Sequence, residues 1–178
     1  MKFLIASDVH GSSYFAQAIL NRATAENADK IILLGDIYNH GPRNPFPKDY
    51  APMQVAEIFN SVKDKLIVIK GNCDSQVDTL ISEFDFIESG VVVSAGKTVF
   101  LTHGHVYNKD MPPKTQFDAV IYGHFHTGFI EKNSDAVFVN CGSVALPKNG
   151  TPNSYVILEQ GKISLKTIDG NLIDEIDL

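Results

Sequence analysis

The chain has 178 residues, 44% of them hydrophobic, which is enough apolar material for one substantial core, and a single domain over residues 1–178 is the expectation. Its 15 basic and 21 acidic residues give a net charge of −6, with the basic residues scattered singly, which argues against nonspecific binding to a nucleic-acid backbone. No apolar run approaches the roughly 18 residues a membrane span needs, polar residues follow the N-terminal run too soon for a signal peptide, and Cys73 and Cys141 form no disulfide framework, so a cytoplasmic protein without membrane contact is expected.

Residues 3–6 read as a short buried strand that ends at Ser7-Asp8. Residues 13–27 follow as a helix capped by Ser12 or Ser13, with Phe15, Ala18, Ile19 and Arg22 at helical spacing. A second strand over 30–34 leads into a Gly- and Pro-rich segment, and then Val55, Ile58, Phe59 and Val62 fall on one helical face. Residues 66–69 open a third round. Strands separated by helical crossovers pair in parallel. Beyond residue 85 the pattern turns to short strands over 91–93, 98–102, 119–122, 136–140, 155–158 and 163–168, punctuated by glycines. Such a half supplies a second sheet packed on the first. The expected fold is α/β with α+β character, a four-layer αββα sandwich of two mixed sheets flanked by helices. The irregular stretch 36–50 has the length usually tied to function.

Five polar stretches each follow an apolar strand: Asp8-Val9-His10, Gly35-Asp36, Gly71-Asn72-Cys73-Asp74, His103-Gly104-His105 and Gly123-His124-Phe125-His126. In parallel sheets the carboxyl ends of neighbouring strands lie side by side, so these residues should gather at one edge. Two aspartates, one asparagine and up to five histidines form a mixed oxygen and nitrogen set suited to manganese, iron, zinc or cobalt and poorly suited to calcium. They are too many for one ion, whereas two ions sharing a bridging carboxylate use them economically. Two ions roughly 3.5–4 Å apart suit phosphoryl chemistry. Gly35, Gly71, Gly104 and Gly123 stand where a tight turn or a positive φ would aim the ligands inward.

Taken singly, each residue has a plainer reading. A lone histidine is more often structural, and Asp8 or Asp36 could cap a following helix. Capping alone, however, does not explain two HxH pairs, which on extended backbone put both imidazoles on one face. Arg43 could grip a phosphate with its fork of donors or simply face solvent. Met53, Phe59, Phe84, Phe86 and Phe117 fall at core spacing, and no aromatic platform for bases is evident.

The five blocks, in this order and spacing, resemble the calcineurin-like metallophosphoesterase superfamily over nearly the whole chain. Ser7-Asp8-Val9-His10-Gly11, Asn39-His40-Gly41-Pro42-Arg43-Asn44 and Asn140-Cys141-Gly142-Ser143 narrow the resemblance to small phosphodiesterases of the YfcE type. It implies two divalent metal ions, manganese first, with zinc, iron, nickel or cobalt as alternatives. By resemblance Asp8, His10, Asp36 and His126 hold one ion. Asp36, Asn72, His103 and His124 hold the other, with Asp36 bridging. It further implies a metal-bridging hydroxide that attacks a small phosphodiester, and a homo-oligomeric assembly. Asn72, Cys73 and Asp74 are the candidate catalytic group, Arg43 and Asn39 the candidate substrate-binding one. His105 and His40 stay outside the ligand set.

Many relatives carry histidine where this chain has Cys73, and a thiol beside two cations would tend toward thiolate rather than serve as an acid. Esters of acidic alcohols, such as aryl esters, are therefore the expected better substrates. Two alternatives accompany this reading. One is a phosphomonoesterase, and the other is a non-catalytic scaffold like the retromer small subunit, against which stand the seven filled ligand positions.

Overall fold

The computed structural model describes residues 1–134 and 136–178. Strand β1 (Lys2–Ala6) leads to helix α1 (Ser13–Ala25), β2 (Lys30–Leu33), helix α2 (Pro52–Asn60), β3 (Leu66–Ile69) and the short β4 (Phe86–Ile87). These four strands pair in parallel. The strands β5 (Gly90–Ser94), β6 (Lys97–Leu101), β7 (Ala119–Tyr122), β8 (Gly128–Lys132) and β9 (Val137–Cys141) make a second sheet. The chain then returns as β10 (Ser154–Glu159), β11 (Lys162–Thr167) and β12 (Leu172–Asp177) to complete the first. The strand orders are β12-β11-β10-β1-β2-β3-β4 and β5-β6-β7-β9-β8. Strands β6, β7 and β9 are parallel between antiparallel β5 and β8, whereas in the first sheet the parallel strands run to one edge and the antiparallel ones to the other.

Side-chain alternation explains the layers. In β1, Leu4 and Ala6 face the helices while Phe3 and Ile5 face the other sheet, so the strand reads as a continuous apolar run. Helix α1 is capped by Ser12, whose Oγ accepts from the Phe15 backbone N–H, and it buries Phe15, Ala16, Ile19 and Ala23. It ends at Ala25, two residues before the expected end, and Asn27 takes a left-handed conformation just beyond it. Helix α2 starts on Pro52, whose missing N–H costs nothing there, and buries Val55, Ala56 and Phe59. Val62 lies past its end.

The two mixed sheets of the expected sandwich are present, with helical cover on one side. Helices α1 and α2 pack on the seven-stranded sheet. On the far face of the other sheet, Phe100, Val120, Tyr122 and Phe138 form a small cluster covered by Tyr107 and Phe117 from the β6–β7 connection. No helix among the described residues covers that face. The crossover from β3 to β4 is a 3-10 helix, Gln76–Leu80, rather than an α-helix. Strands β4, β8 and β12 lie outside the expected set: the first has two residues, and the exposed edge strand β12 has no buried face to pattern it.

The sheets are joined at the carboxyl ends of their parallel strands. Ser143, after β9, donates to the Asp8 carbonyl at 2.8 Å and accepts from the Leu146 N–H at 2.8 Å and the Ala145 N–H at 3.2 Å. Asn140 Nδ2 donates to the Gly123 carbonyl. Replacing Ser143 with alanine leaves these buried groups unpaired and is expected to lower unfolding stability in urea by about 1–3 kcal/mol. A loss below about 0.5 kcal/mol would contradict this coupling of the two sheets.

Candidate metal centre

All five polar stretches follow parallel strands, β1, β2, β3, β6 and β7, and meet at the shared edge. Asp8, His10, Asp36, His124 and His126 have φ between 50° and 65°, a left-handed conformation that L-residues seldom adopt. Such strain gathers at functional sites, where surrounding contacts over-determine it. Here the clamps are backbone bonds between loops: the N–H of Asp8 to the Gly35 carbonyl at 3.1 Å, and that of His10 to the Asp36 carbonyl at 2.8 Å. The HxH pair at 124 and 126 is therefore not extended, as the sequence reading assumed. Nor do Asp8 and Asp36 cap helices, because the cap positions of α1 and α2 are Ser12 and Ala51. Gly123 has a specific reason: a Cβ there would lie 2.0 Å from Ser7 Oγ and 2.5 Å from Asp8 Oδ2. At Gly71 a Cβ would lie 2.2 Å from Asp36 Oδ1. Both are needed for close approach rather than for positive φ.

Three imidazoles are locked in the same way. Nδ1 of His10 lies 2.7 Å from the Asn39 carbonyl, Nδ1 of His103 2.7 Å from that of Leu34, and Nδ1 of His126 2.6 Å from that of Leu146. A carbonyl only accepts, so each Nδ1 carries a proton and each Nε2 is the inward-facing position that a second proton or a cation can take. Nε2 of His10 and Nε2 of His126 lie 3.1 Å apart, with Asp8 Oδ1 at 3.2 Å from the latter. Asp36 Oδ2 stands between two histidines, 3.7 Å from His10 Nε2 and 3.5 Å from His103 Nε2. Asn72 Oδ1 lies 3.0 Å from His103 Nε2. His124 presents Nδ1 instead, 3.3 Å from His103 Nε2. Asp8 Oδ1 is buried without a hydrogen-bond donor. Donor atoms at these separations fit cations at ordinary ligand distances of about 2.0–2.2 Å.

The charges follow from burial and proximity. Burial alone would raise Asp8, but contacts with His10 and His126 and the charge of His103 hold it well below the usual carboxylate range. Asp36 is lowered too, its burial outweighed chiefly by His103. Burial opposes charge on His103, yet Asp36 and Asp8 raise it to about 9. His124, buried and beside that charge, falls to about 4.

The remaining candidates divide. Asn39, Arg43, Asn72 and Cys73 line an open cavity of about 710 Å³ whose floor is the donor cluster. Asp74 is buried and does not line it; its oxygens accept from the backbone N–H groups of Asp36, Ile37 and Gly71 at 2.7–2.8 Å. It fastens the two ligand-bearing loops and meets no reacting atom, which corrects its place in the catalytic group. Burial pushes the Cys73 thiol up to about 12, aided by Asp36, Asp74 and Asp8. His105 is exposed at the rim of the cluster, its ring centroid 5.4 Å from that of His103 and 6.2 Å from that of His124, whereas His40 packs on Phe46 and Tyr50. Two cavity residues escaped the sequence reading: Lys148, whose N–H bonds the His126 carbonyl, and Phe125.

Paired loops of this kind, on two mixed sheets, define a metallophosphoesterase, and the chain belongs to the calcineurin-like phosphoesterase superfamily, whose family model matches residues 1–162. It is 38% identical over 175 residues to the phosphodiesterase YfcE of Escherichia coli K12, covering 97% of this chain and 95% of that protein. The E. coli YfcE structure, described as a phosphoesterase, superposes with a TM-score of 0.95 at 37% identity, covering 99% of both chains. A probable metallophosphoesterase of Bacillus subtilis, YsnB, is 27% identical over 99% of this chain and 96% of its own. Vps29 of Entamoeba histolytica, solved with zinc, matches at a TM-score of 0.66 and 19% identity, covering 99% of each chain, which shows the shared fold. No described helix is long and apolar enough to cross a membrane.

Divalent cations are the family's cofactors, and they compete here with protons. His103 keeps its proton up to about pH 9, and ligation needs the neutral ring. Manganese affinity is therefore expected to rise roughly tenfold per pH unit from 7 toward 9 and then level off. Titration calorimetry in buffers of different ionisation enthalpy should show proton release at pH 7.5. Buffer-independent heats with a flat affinity would contradict it.

Proposed function

We propose that this chain is a phosphodiesterase that acts through two divalent ions. Asp8, His10, Asp36 and His126 are the ligands of one, and Asp36, Asn72, His103 and His124 those of the other. The observation that carries the reading is the inward convergence of three Nε2 atoms on two buried carboxylates, each remote nitrogen tied to a carbonyl. When bound, such ions supply Lewis-acid charge for the phosphate and lower the pKa of an attacking water. The mixed oxygen and nitrogen donors suit manganese, iron, zinc or cobalt, and manganese is taken first from the family resemblance. The diester preference rests on similarity to the E. coli phosphodiesterase and on a cavity open enough to pass both ester arms.

The chain's own residues bind and orient. Asp36 stands between both histidine groups, and the Cys73 N–H donates to its Oδ1 at 2.8 Å, which fixes the carboxylate's rotation. Asn39 Oδ1 accepts from the Gly41 N–H and shapes the loop that carries Arg43 to the cavity, where its guanidinium fork suits a phosphate oxygen. Cys73 stands where many relatives carry histidine, and a thiol beside two bound cations tends toward thiolate rather than serving as an acid, so esters of acidic alcohols are the favoured substrates. One domain over 1–178 and a cytoplasmic setting, in keeping with two free cysteines, complete the reading.

Metal-stripped protein reloaded with manganese is expected to hydrolyse bis-p-nitrophenyl phosphate faster than p-nitrophenyl phosphate. Asp36→Asn should cut the diester rate at least about a hundredfold, because removing one charged group aimed at the reacting centre costs this much. Metal-independent silence on both substrates, or full activity in the variant, would overturn the assignment.

A further inference from the structure

The cavity above the donor cluster has Asn39, Asn44, Asn72 and Arg43 on its walls, with Pro42 and Phe125 as apolar members. Phe125 is the aromatic one among them. It stands between His124 and His126, lines the cavity, and keeps 44% of its surface exposed. A lone exposed phenylalanine would mean little. This one is placed by the site itself: the residues on either side are forced into left-handed backbone, and its own N–H bonds the Gly123 carbonyl at 2.7 Å. Its ring is nearly perpendicular to that of Tyr122, at 80°, and to that of His124, at 77°. Edge-to-face contacts of this sort fix a ring's orientation.

We propose that Phe125 is the specificity-determining residue of the site, a platform on which a planar aromatic ring carried by one ester arm of the substrate stacks. The inference rests on the phosphoesterase reading and adds the chemistry of the arm. A phosphate seated at the donor cluster directs its two arms into the cavity. Because Phe125 adjoins two candidate ligands, the arm on their side passes across its ring, whereas the other meets the polar wall of Asn39 and Arg43. An aliphatic arm gains only partial contact there, and a flat π-face gains stacking.

Hydrolysis rates alone cannot isolate this effect, since aryl leaving groups are also more acidic. Phosphonates have no leaving group. Dissociation constants of phenylphosphonate and methylphosphonate measured by titration calorimetry on manganese-loaded protein therefore read the platform directly. Phenylphosphonate is expected to bind about five- to hundredfold more tightly, the range that base stacking on an aromatic side chain provides. Phe125→Ala should bring the ratio close to one, Phe125→Leu should restore little of it, and Phe125→Trp should restore most. Equal binding of both phosphonates by the wild-type protein, or a ratio that survives in Phe125→Ala, overturns the platform while leaving diester turnover intact. If neither phosphonate binds and bis-p-nitrophenyl phosphate stays unhydrolysed, the phosphoesterase reading falls and the platform falls with it.

Discussion

Two buried imidazole nitrogens, both facing inward and 3.1 Å apart, repel unless a proton or a cation lies between them. His10 and His126 are held in that arrangement because each has given its other nitrogen's proton to a backbone carbonyl, at Asn39 and Leu146. A side chain free to turn would relieve the repulsion at little cost. These cannot turn without leaving a buried carbonyl unpaired, which costs about 1–3 kcal/mol each. The site is thus preorganised for positive charge by bonds that lie outside it.

The sandwich supplies those bonds. The carbonyl for His126 comes from the loop after β9, and that for His103 comes from the residue after β2, in the opposite sheet. The first sheet thus fixes His103, presented by the second, while the second holds Asp8 of the first through the His124 N–H and the Ser143 hydroxyl. Asp74 does the same within one sheet, gathering the N–H groups of the β2 and β3 loops onto a single buried carboxylate. The left-handed residues fit this scheme: a strand that simply ran on would carry Asp8 or Asp36 away from the edge, whereas an abrupt left-handed turn brings the side chain back over it.

The metal cluster was legible in the sequence because its residues are chemically unusual and each follows a buried strand. Leu4, Ile32, Val68, Val99 and Val120 announce strands with both faces covered, and the polar residue after each run marks its carboxyl end. That no helix among the described residues covers the far side was not legible, since a glycine-, proline- and aromatic-bearing connection can cover Phe100 and Phe138 as well as a helix can. Neither was β12, whose exposed Leu172 and Ile173 and its acidic residues fit a loop equally well until β11 offers an edge to pair with.

The positions of Asp74 and Phe125 were not legible, for complementary reasons. Proximity in sequence to Asn72 and Cys73 made Asp74 look like part of the chemistry, but a turn can send neighbouring side chains to opposite sides, and its carboxylate went inward to backbone N–H groups. Phe125 escaped the sequence reading because the middle residue of an HxH pair on an extended strand points away from the two histidines. That geometry requires ordinary β backbone at His124 and His126, and both have positive φ instead. The signal available was Gly123, since a glycine forced by close approach immediately before an HxH pair means the strand has already ended. Beyond that point alternation no longer applies, and the middle residue of the pair can stand in the cavity beside its neighbours.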